Sequence, residues 1–116
     1  MSGSPRMPRV NEMLREVIAE EIRALKDPEV GFVTVTGVDT SPDLRSAVVF
    51  YTALGTEEEQ AATARALKRA APHLRSRMGA QIHIKYTPAL EFRVDAAIET
   101  GLRIEQLVRD LGTHDA

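Results

Sequence analysis

Carboxylates near predicted turns and strand ends are the first residues of this sequence that could do chemistry. Aspartate and glutamate act as general acids or bases when a catalytic partner lies within hydrogen-bond reach. No such partner accompanies these side chains, and turns and helix caps use acidic residues routinely. A structural role is therefore the favoured interpretation of Asp39, Asp43, Glu91 and Asp95.

The histidines do not suggest a metal site either, because His73, His83 and His114 are scattered along the chain. We expect surface histidines and neither a metal nor a cofactor. The chain has no cysteine, which leaves no disulfide or thiolate site and fits a reducing compartment. A small hydrolase is a remote interpretation, since the sequence has no nucleophile with a base and no glycine-rich phosphate loop.

Basic residues give a stronger signal, because many of them fall in one stretch. The formal net charge is -2, yet residues 1–60 carry a net charge of -5 and residues 61–116 carry +3. From Ala61 to Leu90 there is no aspartate or glutamate. Such a local field attracts phosphate in spite of a negative total. The basic residues of this interval are Arg65, Lys68, Arg69, Arg75, Arg77 and Lys85.

These cations have two interpretations that the residues alone weight about evenly. One is a phosphate-binding surface, and the other is an ordinary solvated helix face. The lack of an acidic partner within the interval tips the balance slightly towards phosphate. Aromatic residues make up only 4% of the chain, so Tyr51 and Tyr86 are assigned to the core or its rim and base stacking is not expected.

The elements that position these cations follow from the hydrophobic pattern. Apolar residues recur at three- and four-residue steps from Pro8 to Leu25, which predicts an amphipathic helix ending at Asp27-Pro28. The β-branched stretches Phe32–Val38 and Ala47–Thr52 predict a β-hairpin.

A second, alanine-rich helix is predicted to begin near Glu57 and to bend at Ala70, Ala71 and Pro72. Proline inside a helix removes a backbone hydrogen bond and clashes with the preceding turn. We therefore expect a separate short helix from Pro72 to Met78.

Strict alternation over Gln81–Tyr86 predicts a third strand, and Leu90, Phe92 and Val94 continue the pattern. Asp95 is the predicted N-cap of a last helix that reaches Leu111. The predicted fold class is α+β, a three-stranded sheet with helices packed mainly on one face. The predicted order is α-β-β-α-(kink)-α-β-α.

Short motifs along the chain resemble one family, ribosome-binding factor A, and the element order resembles a type II KH domain. The motifs cover nearly the whole chain from Pro8 to about Leu111, in order. They are Arg9-Val10, Lys26-Asp27-Pro28, Val33-Thr34-Val35-Thr36, Asp43-Leu44, Leu74-Arg75 and Pro88-Ala89-Leu90-Glu91-Phe92 with Asp95.

Ordinary KH domains clamp a nucleic-acid backbone with a GxxG loop between two helices, and none lies between Ala61 and Gly79. Ribosome-binding factor A proteins have an Ala-x-Gly kink instead, and the similar segment here is Ala70-Ala71-Pro72. Proline in place of glycine keeps a bend but withholds an N–H group from phosphate.

The resemblance implies a non-enzymatic factor that binds the immature 30S subunit, assists late maturation of 16S rRNA and leaves before translation. It also implies an association with growth in the cold. Phosphate contact then becomes the favoured role of the basic residues. The predicted RNA-binding residues are Arg9, Arg65, Lys68, Arg69, Arg75, Arg77 and Lys85. The alternative is a protein-interaction adaptor on the same scaffold that does not contact nucleic acid.

We expect one KH-like domain over residues 8–112, a flexible leader over residues 1–7 and a tail over residues 113–116. No apolar run has the length of a signal peptide or a membrane span, which predicts a cytoplasmic protein without a membrane partner. The protein is expected to be monomeric when free.

Overall fold

The computed structural model describes residues 7–96 of the chain. The predicted order of elements holds over that range, except that one helix stands where two helices separated by a kink are predicted. The last helix, predicted from Asp95 to Leu111, lies largely outside the described residues. The elements are α1 (Met7–Arg23), β1 (Val33–Thr40), β2 (Ser46–Ala53), α2 (Glu57–Gln81) and β3 (Ala89–Val94).

The three strands form one mixed sheet in the order β1-β2-β3. β1 and β2 are the antiparallel hairpin that the sequence predicts, and β3 runs parallel to β2. The register of β1 shifts between Val35 and Gly37. Thr36 is therefore a bulge residue, and the buried positions of β1 move from Val35 to Val38.

The core lies between the sheet and the two helices, which share one hydrophobic cluster with the inward residues of the strands. Leu14 and Ile18 of α1 and Leu67 and Leu74 of α2 are almost fully buried there. Burying a leucine or isoleucine side chain stabilises the fold by roughly 1.5–3 kcal/mol. The helices consequently cover the inward face of the sheet, as predicted.

The predicted boundaries of α1 are wrong by a few residues. The helix begins at Met7, which is buried, and it ends at Arg23 instead of Asp27. Asp27 belongs to a turn in which its carboxylate accepts a hydrogen bond from the N–H of Glu29 at 2.9 Å. Aspartate favours such turns because its short side chain competes with the helix for backbone donors.

α2 is one helix of 25 residues and not the two helices predicted on either side of Pro72. It begins with a capping box, in which Thr56 Oγ1 accepts from Glu59 N–H and Glu59 Oε1 accepts from Thr56 N–H. Buried residues on both sides of the proline, Leu67 and Leu74, hold the helix against the core. A bend within this continuous helix remains a prediction.

The strand predicted over Gln81–Tyr86 is also wrong. α2 continues to Gln81, and the N–H of Ile82 bonds to the carbonyl of Met78 at 2.9 Å. Ile82 is buried and Ile84 is half-buried against the core, which explains the alternation without a strand. β3 begins only at Ala89, where the chain comes into register with Ser46 of β2.

Candidate nucleic-acid interface

Helix α2 carries its basic residues on two flanks, one on each side of the buried residues Leu67, Leu74 and Met78. With 3.6 residues per turn, Lys68 and Arg75 share one flank. Arg65, Arg69 and Arg77 turn the other way, towards α1 and the turn that follows it, and contact acids there. We call Arg65, Arg69 and Arg77 the paired flank. We call Lys68 and Arg75, together with the neighbouring Lys85 and Arg45, the open flank.

The paired flank is neutralised by acids that are distant in sequence. Arg69 Nη2 lies 3.0 Å from Asp27 Oδ2 and 2.6 Å from Glu29 Oε1. Arg65 Nη2 lies 3.7 Å from Glu29 Oε2. Both carboxylates belong to the turn between α1 and β1, so these arginines have acidic partners that lie outside the interval Ala61–Leu90.

Arg77 is paired in the same way, with an acid of α1. Its Nε donates to Glu21 Oε1 at 3.0 Å, and the amide of Gln81 donates to Glu21 Oε2 at 2.8 Å. Arg77 lowers the pKa of Glu21, and Gln81 lowers it further. A carboxylate held by two donors has less capacity left for other partners.

Thr63 fixes the acidic turn on α2. Its buried Oγ1 accepts from Gly31 N–H at 3.2 Å and donates to the carbonyl of Glu29 at 3.3 Å. The backbone bond from Glu29 lowers the pKa of Asp27, and Arg69 lowers it further. Glu29 and Asp27 in turn raise the pKa of Arg69. The turn and the helix therefore form one interlocked surface.

The open flank differs because none of its cations forms an ion pair with a carboxylate among the described residues. Arg75 donates from Nε and Nη2 to the carbonyl of Thr87, at 3.0 and 2.8 Å. A neutral carbonyl fixes the guanidinium but leaves its charge intact. Within residues 7–96, Lys68 has no ion pair. Because Pro72 has no N–H, the carbonyl of Lys68 also lacks its usual helical donor.

Two further cations of the open flank meet at the ring of Tyr86. Arg45 Cζ lies 4.3 Å from the ring centroid, and Lys85 Nζ lies 5.5 Å from it. Arginine and lysine are attracted to the ring face at these distances. The carboxylate of Asp43 bonds to Ser41 Oγ and to the backbone N–H of Arg45, not to its guanidinium. The hydrogen bond from Ser41 lowers the pKa of Asp43, and the backbone N–H and the charge of Arg45 help to lower it further.

An open groove of about 340 Å³ lies between α2 and the segment that leads to β3. The helix and this segment approach closely at Gly79, where a Cβ atom would stand 3.0 Å from Thr87 Oγ1. Glycine at this position lets Thr87 reach the helix and Arg75 reach its carbonyl. The groove is lined by Pro72, Arg75, Ser76, Gly79 and Thr87.

The remaining predicted residues are placed as follows. Arg9 is exposed on the first turns of α1. Asn11 Oδ1 accepts from Thr40 N–H, which brings that end of α1 to the sheet end where Arg45 precedes β2. In the kink segment, Ala70 and Ala71 are half-buried and Pro72 is exposed.

Arg45 is not among the RNA-binding residues predicted from the sequence. It lies in the acidic half of the chain, so a count of charges along the sequence hides it. The sequence does give a weak indication of its place, because Arg45 directly precedes β2 and a strand is predicted there. Its contact with Tyr86 joins residues 41 positions apart, and that contact follows only from the parallel pairing of β2 with β3.

Other kinds of site are not found in the part of the chain that the structure describes. Within residues 7–96, no three histidine, cysteine, aspartate or glutamate side chains are grouped to hold a metal ion. Within the same range, no helix is long and apolar enough to cross a membrane.

The mixed sheet with both helices on its inward face is the architecture of a KH-like domain, with an open cationic groove and no GxxG loop. The chain belongs to the ribosome-binding factor A family, whose sequence profile matches residues 6–108. Proteins named ribosome-binding factor A are similar along most of their length. The protein of Beutenbergia cavernae is 42% identical over 100% of this chain and 74% of its own. That of Geobacter sulfurreducens is 39% identical over 93% of this chain and 92% of its own.

Solved structures give the same result. The crystal structure of ribosome-binding factor A from Thermus thermophilus superposes with a TM-score of 0.69 at 32% identity, over 76% of this chain and 94% of that one. A homology model of the T. thermophilus protein, fitted into the cryo-electron microscopy map of a 30S complex, gives a TM-score of 0.60 at 34% identity. It covers 72% of this chain and 88% of that one. The recognition of the family and of its KH-like fold from sequence is thus confirmed.

Proposed function

We propose that this chain is a ribosome assembly factor that binds the immature 30S subunit, contacts 16S rRNA and assists its late maturation without catalysis. The cytoplasm is its proposed location. The support is membership of the ribosome-binding factor A family and similarity to a protein that has been fitted into a 30S complex. In this proposal the domain described by residues 7–96 binds the subunit and catalyses no reaction.

The observation that carries the RNA contact is the open flank. Arg45, Arg75 and Lys85 converge on residues 85–87 without an ion pair to any described carboxylate. RNA phosphates attract such cations and release counterions when they bind. A side chain whose charge is not already satisfied gains most from that exchange.

The paired flank is proposed to contribute less. Arg65, Arg69 and Arg77 must leave Asp27, Glu29 or Glu21 before they can bind a phosphate fully. Both states of such an arginine are ion pairs, so the net gain is small. Arg9 has no ion pair to a described residue and stays a proposed phosphate contact.

Sedimentation of a cell lysate through a density gradient tests the assignment to the small subunit. We expect the protein in the fractions of free or immature small subunits and not in the polysome fractions. Equal abundance in polysomes contradicts a factor that leaves before translation. The same gradient at raised salt should move the protein to the top, since phosphate contacts weaken with ionic strength.

A protein-interaction adaptor is the second candidate, and one observation favours it. Phe32 and Leu54 lie opposite each other at the open end of the hairpin, joined by a backbone bond of 3.0 Å. Their exposed fractions are 80% and 73%, which is unusual for large apolar side chains. Binding to subunits that depends on Phe32 and Leu54 and not on salt would support the adaptor.

A further inference from the structure

We infer that Tyr86 and Arg45 form a stacking site for one unpaired nucleobase of RNA. The inference rests on the proposed function and deepens it, because it names a single-stranded nucleotide as the ligand of the open flank. Sequence composition alone predicts phosphate contact without stacking, so this site is an addition to that expectation.

The contact between the two side chains carries the inference. A guanidinium 4.3 Å from a ring centroid is within stacking distance, and the Tyr86 side chain retains 36% exposure. Unpaired bases stack both on aromatic rings and on arginine planes. The pair therefore offers either surface to a base, with two cations beside it.

The backbone on both sides of Tyr86 is held in place by contacts within the protein. The segment that carries it is anchored at both ends, by buried Ile82 and by fully buried Pro88. Between them, Arg75 clamps the carbonyl of Thr87 with two hydrogen bonds. An anchored backbone loses little conformational entropy on binding, which raises affinity.

The geometry favours a single strand over a duplex. In double-stranded RNA the base faces are already stacked, and proteins contact mainly phosphates and 2′-hydroxyls. The exposed ring of Tyr86, flanked by Arg45 and Lys85, can stack only with a base that is unpaired and has a free face. The adjacent groove of about 340 Å³, with Arg75 on its wall, has room for the sugar and phosphate of the next nucleotide.

Tyrosine fluorescence tests the stack directly, because the chain has two tyrosines and no tryptophan. Tyr51 is 2% exposed in the core, and its replacement by Tyr51→Phe leaves Tyr86 as the only tyrosine. The probes are an adenosine decamer, a decamer of the same backbone without bases, and the adenosine decamer paired with a uridine decamer. All three carry the same phosphates along the strand.

We expect the adenosine decamer to quench Tyr86 emission and the abasic decamer to bind through its phosphates without quenching. The duplex should also bind without quenching. Equal quenching by all three probes, or binding of the adenosine decamer with unchanged emission, would overturn the inference. So would a failure of the adenosine decamer to bind at low salt.

The affinity of a labelled adenosine decamer for variants of Tyr86 distinguishes the contribution of stacking from that of charge. Tyr86→Phe keeps the ring and should bind like the parent, whereas Tyr86→Leu should bind about fivefold to a hundredfold more weakly. Tyr86→Leu should leave binding of the abasic decamer unchanged. Thermal melts of both variants exclude a folding defect. If Tyr86→Leu binds the adenosine decamer like the parent while the parent still sediments with small subunits, the stacking site fails and the proposed function stands.

Discussion

The two flanks of α2 carry cations of the same kind and differ in what stands opposite them. On the paired flank, Arg69 and Arg77 meet carboxylates of α1 and of the following turn. On the open flank, Arg75 meets a backbone carbonyl and Arg45 meets an aromatic ring. The same residue type is therefore paired with a carboxylate on one flank and carries a charge without a described carboxylate partner on the other.

This difference shows why charge along the sequence is a poor map of charge in space. The interval without acidic residues is real, but folding brings Glu21, Asp27 and Glu29 against it. Exposed ion pairs, such as that of Arg65 with Glu29, contribute little to the free energy of folding. Their larger consequence is to weaken the local field that a phosphate would experience.

The largest expected effect comes from removing three cations of the open flank together, Lys68→Ala, Arg75→Ala and Lys85→Ala. Binding to purified small subunits should weaken by an order of magnitude or more, as phosphate contacts are lost. The slope of log affinity against log salt should flatten by roughly 0.7 to 0.9 for each contact.

The matched control is the paired-flank triple, Arg65→Ala, Arg69→Ala and Arg77→Ala, which removes the same formal charge. Its affinity should fall less and its salt slope should stay close to that of the parent. Melting temperatures of both triples should lie within a few degrees of the parent, since all six side chains are exposed. If the slope of log affinity against log salt flattened equally in the two triple variants, the two flanks would not differ in their contact with RNA.

Replacement of Pro72 should have a smaller, several-fold effect on subunit binding, because this residue precedes Arg75 of the open flank on α2. Pro72→Ala restores an N–H to the carbonyl of Lys68 and should raise helix stability, because proline inside a helix costs roughly 3 kcal/mol. If the segment bends at Pro72, a straightened helix misplaces Arg75 and weakens subunit binding. Binding assays and thermal melts of the same protein measure both changes.

Pro72→Gly is the control for this prediction. It returns the segment to the family's Ala-x-Gly pattern, and we expect it to retain binding. A Pro72→Ala protein that is more stable and binds like the parent would show that a bend at this position does not position Arg75.

The acids of the paired flank should restrain binding, by a factor of about two to ten at low salt. Asp27→Asn with Glu29→Gln preserves the shape of the turn and releases Arg65 and Arg69. Affinity for subunits should therefore rise. Glu57→Gln with Glu58→Gln, at the exposed start of the same helix, removes the same charge without freeing an arginine. An equal gain in affinity in this control would show that the effect comes from net charge and not from the release of Arg65 and Arg69.

The smallest effect is a pH dependence of stability. Hydrogen bonds from Arg77 and Gln81 hold the pKa of Glu21 below its ordinary value of 4.5. A lowered pKa in the folded state contributes stability that is complete above that ordinary value and is lost as the pH falls through the lowered one. Thermal melts below pH 4.5 should show a loss of stability that Glu21→Gln partly removes. A melting temperature that falls equally in parent and variant would contradict the pairing.

Much of the fold could be predicted from sequence, because its signals are local. The apolar period of α1, the β-branched hairpin and the capping box of α2 each act within a few residues. The alternation over Gln81–Tyr86 misled, since burial of Ile82 and Ile84 under the end of α2 produces the same pattern as a strand. Only the pairing of Ala89 with Ser46 fixes where β3 begins.

The candidate site could be predicted only in part, because some of its contacts join residues that are distant in sequence. Lys68, Arg75 and Lys85 fall in the basic interval, and the structure leaves them without described acidic partners. The pairing of Arg69 with Asp27 and the contact of Arg45 with Tyr86 each join residues about 40 positions apart. Such contacts depend on topology, which the charge pattern does not contain.

Site-directed crosslinking tests most directly whether the open flank faces the RNA. The chain has no cysteine, so Lys68→Cys and Arg77→Cys each introduce one attachment point for a benzophenone group. The two positions lie nine residues apart on α2, both exposed and on opposite sides of the helix. After irradiation of each labelled protein on purified small subunits, we predict crosslinks to 16S rRNA from position 68 and few or none from position 77. Stronger crosslinking from position 77 would contradict the account.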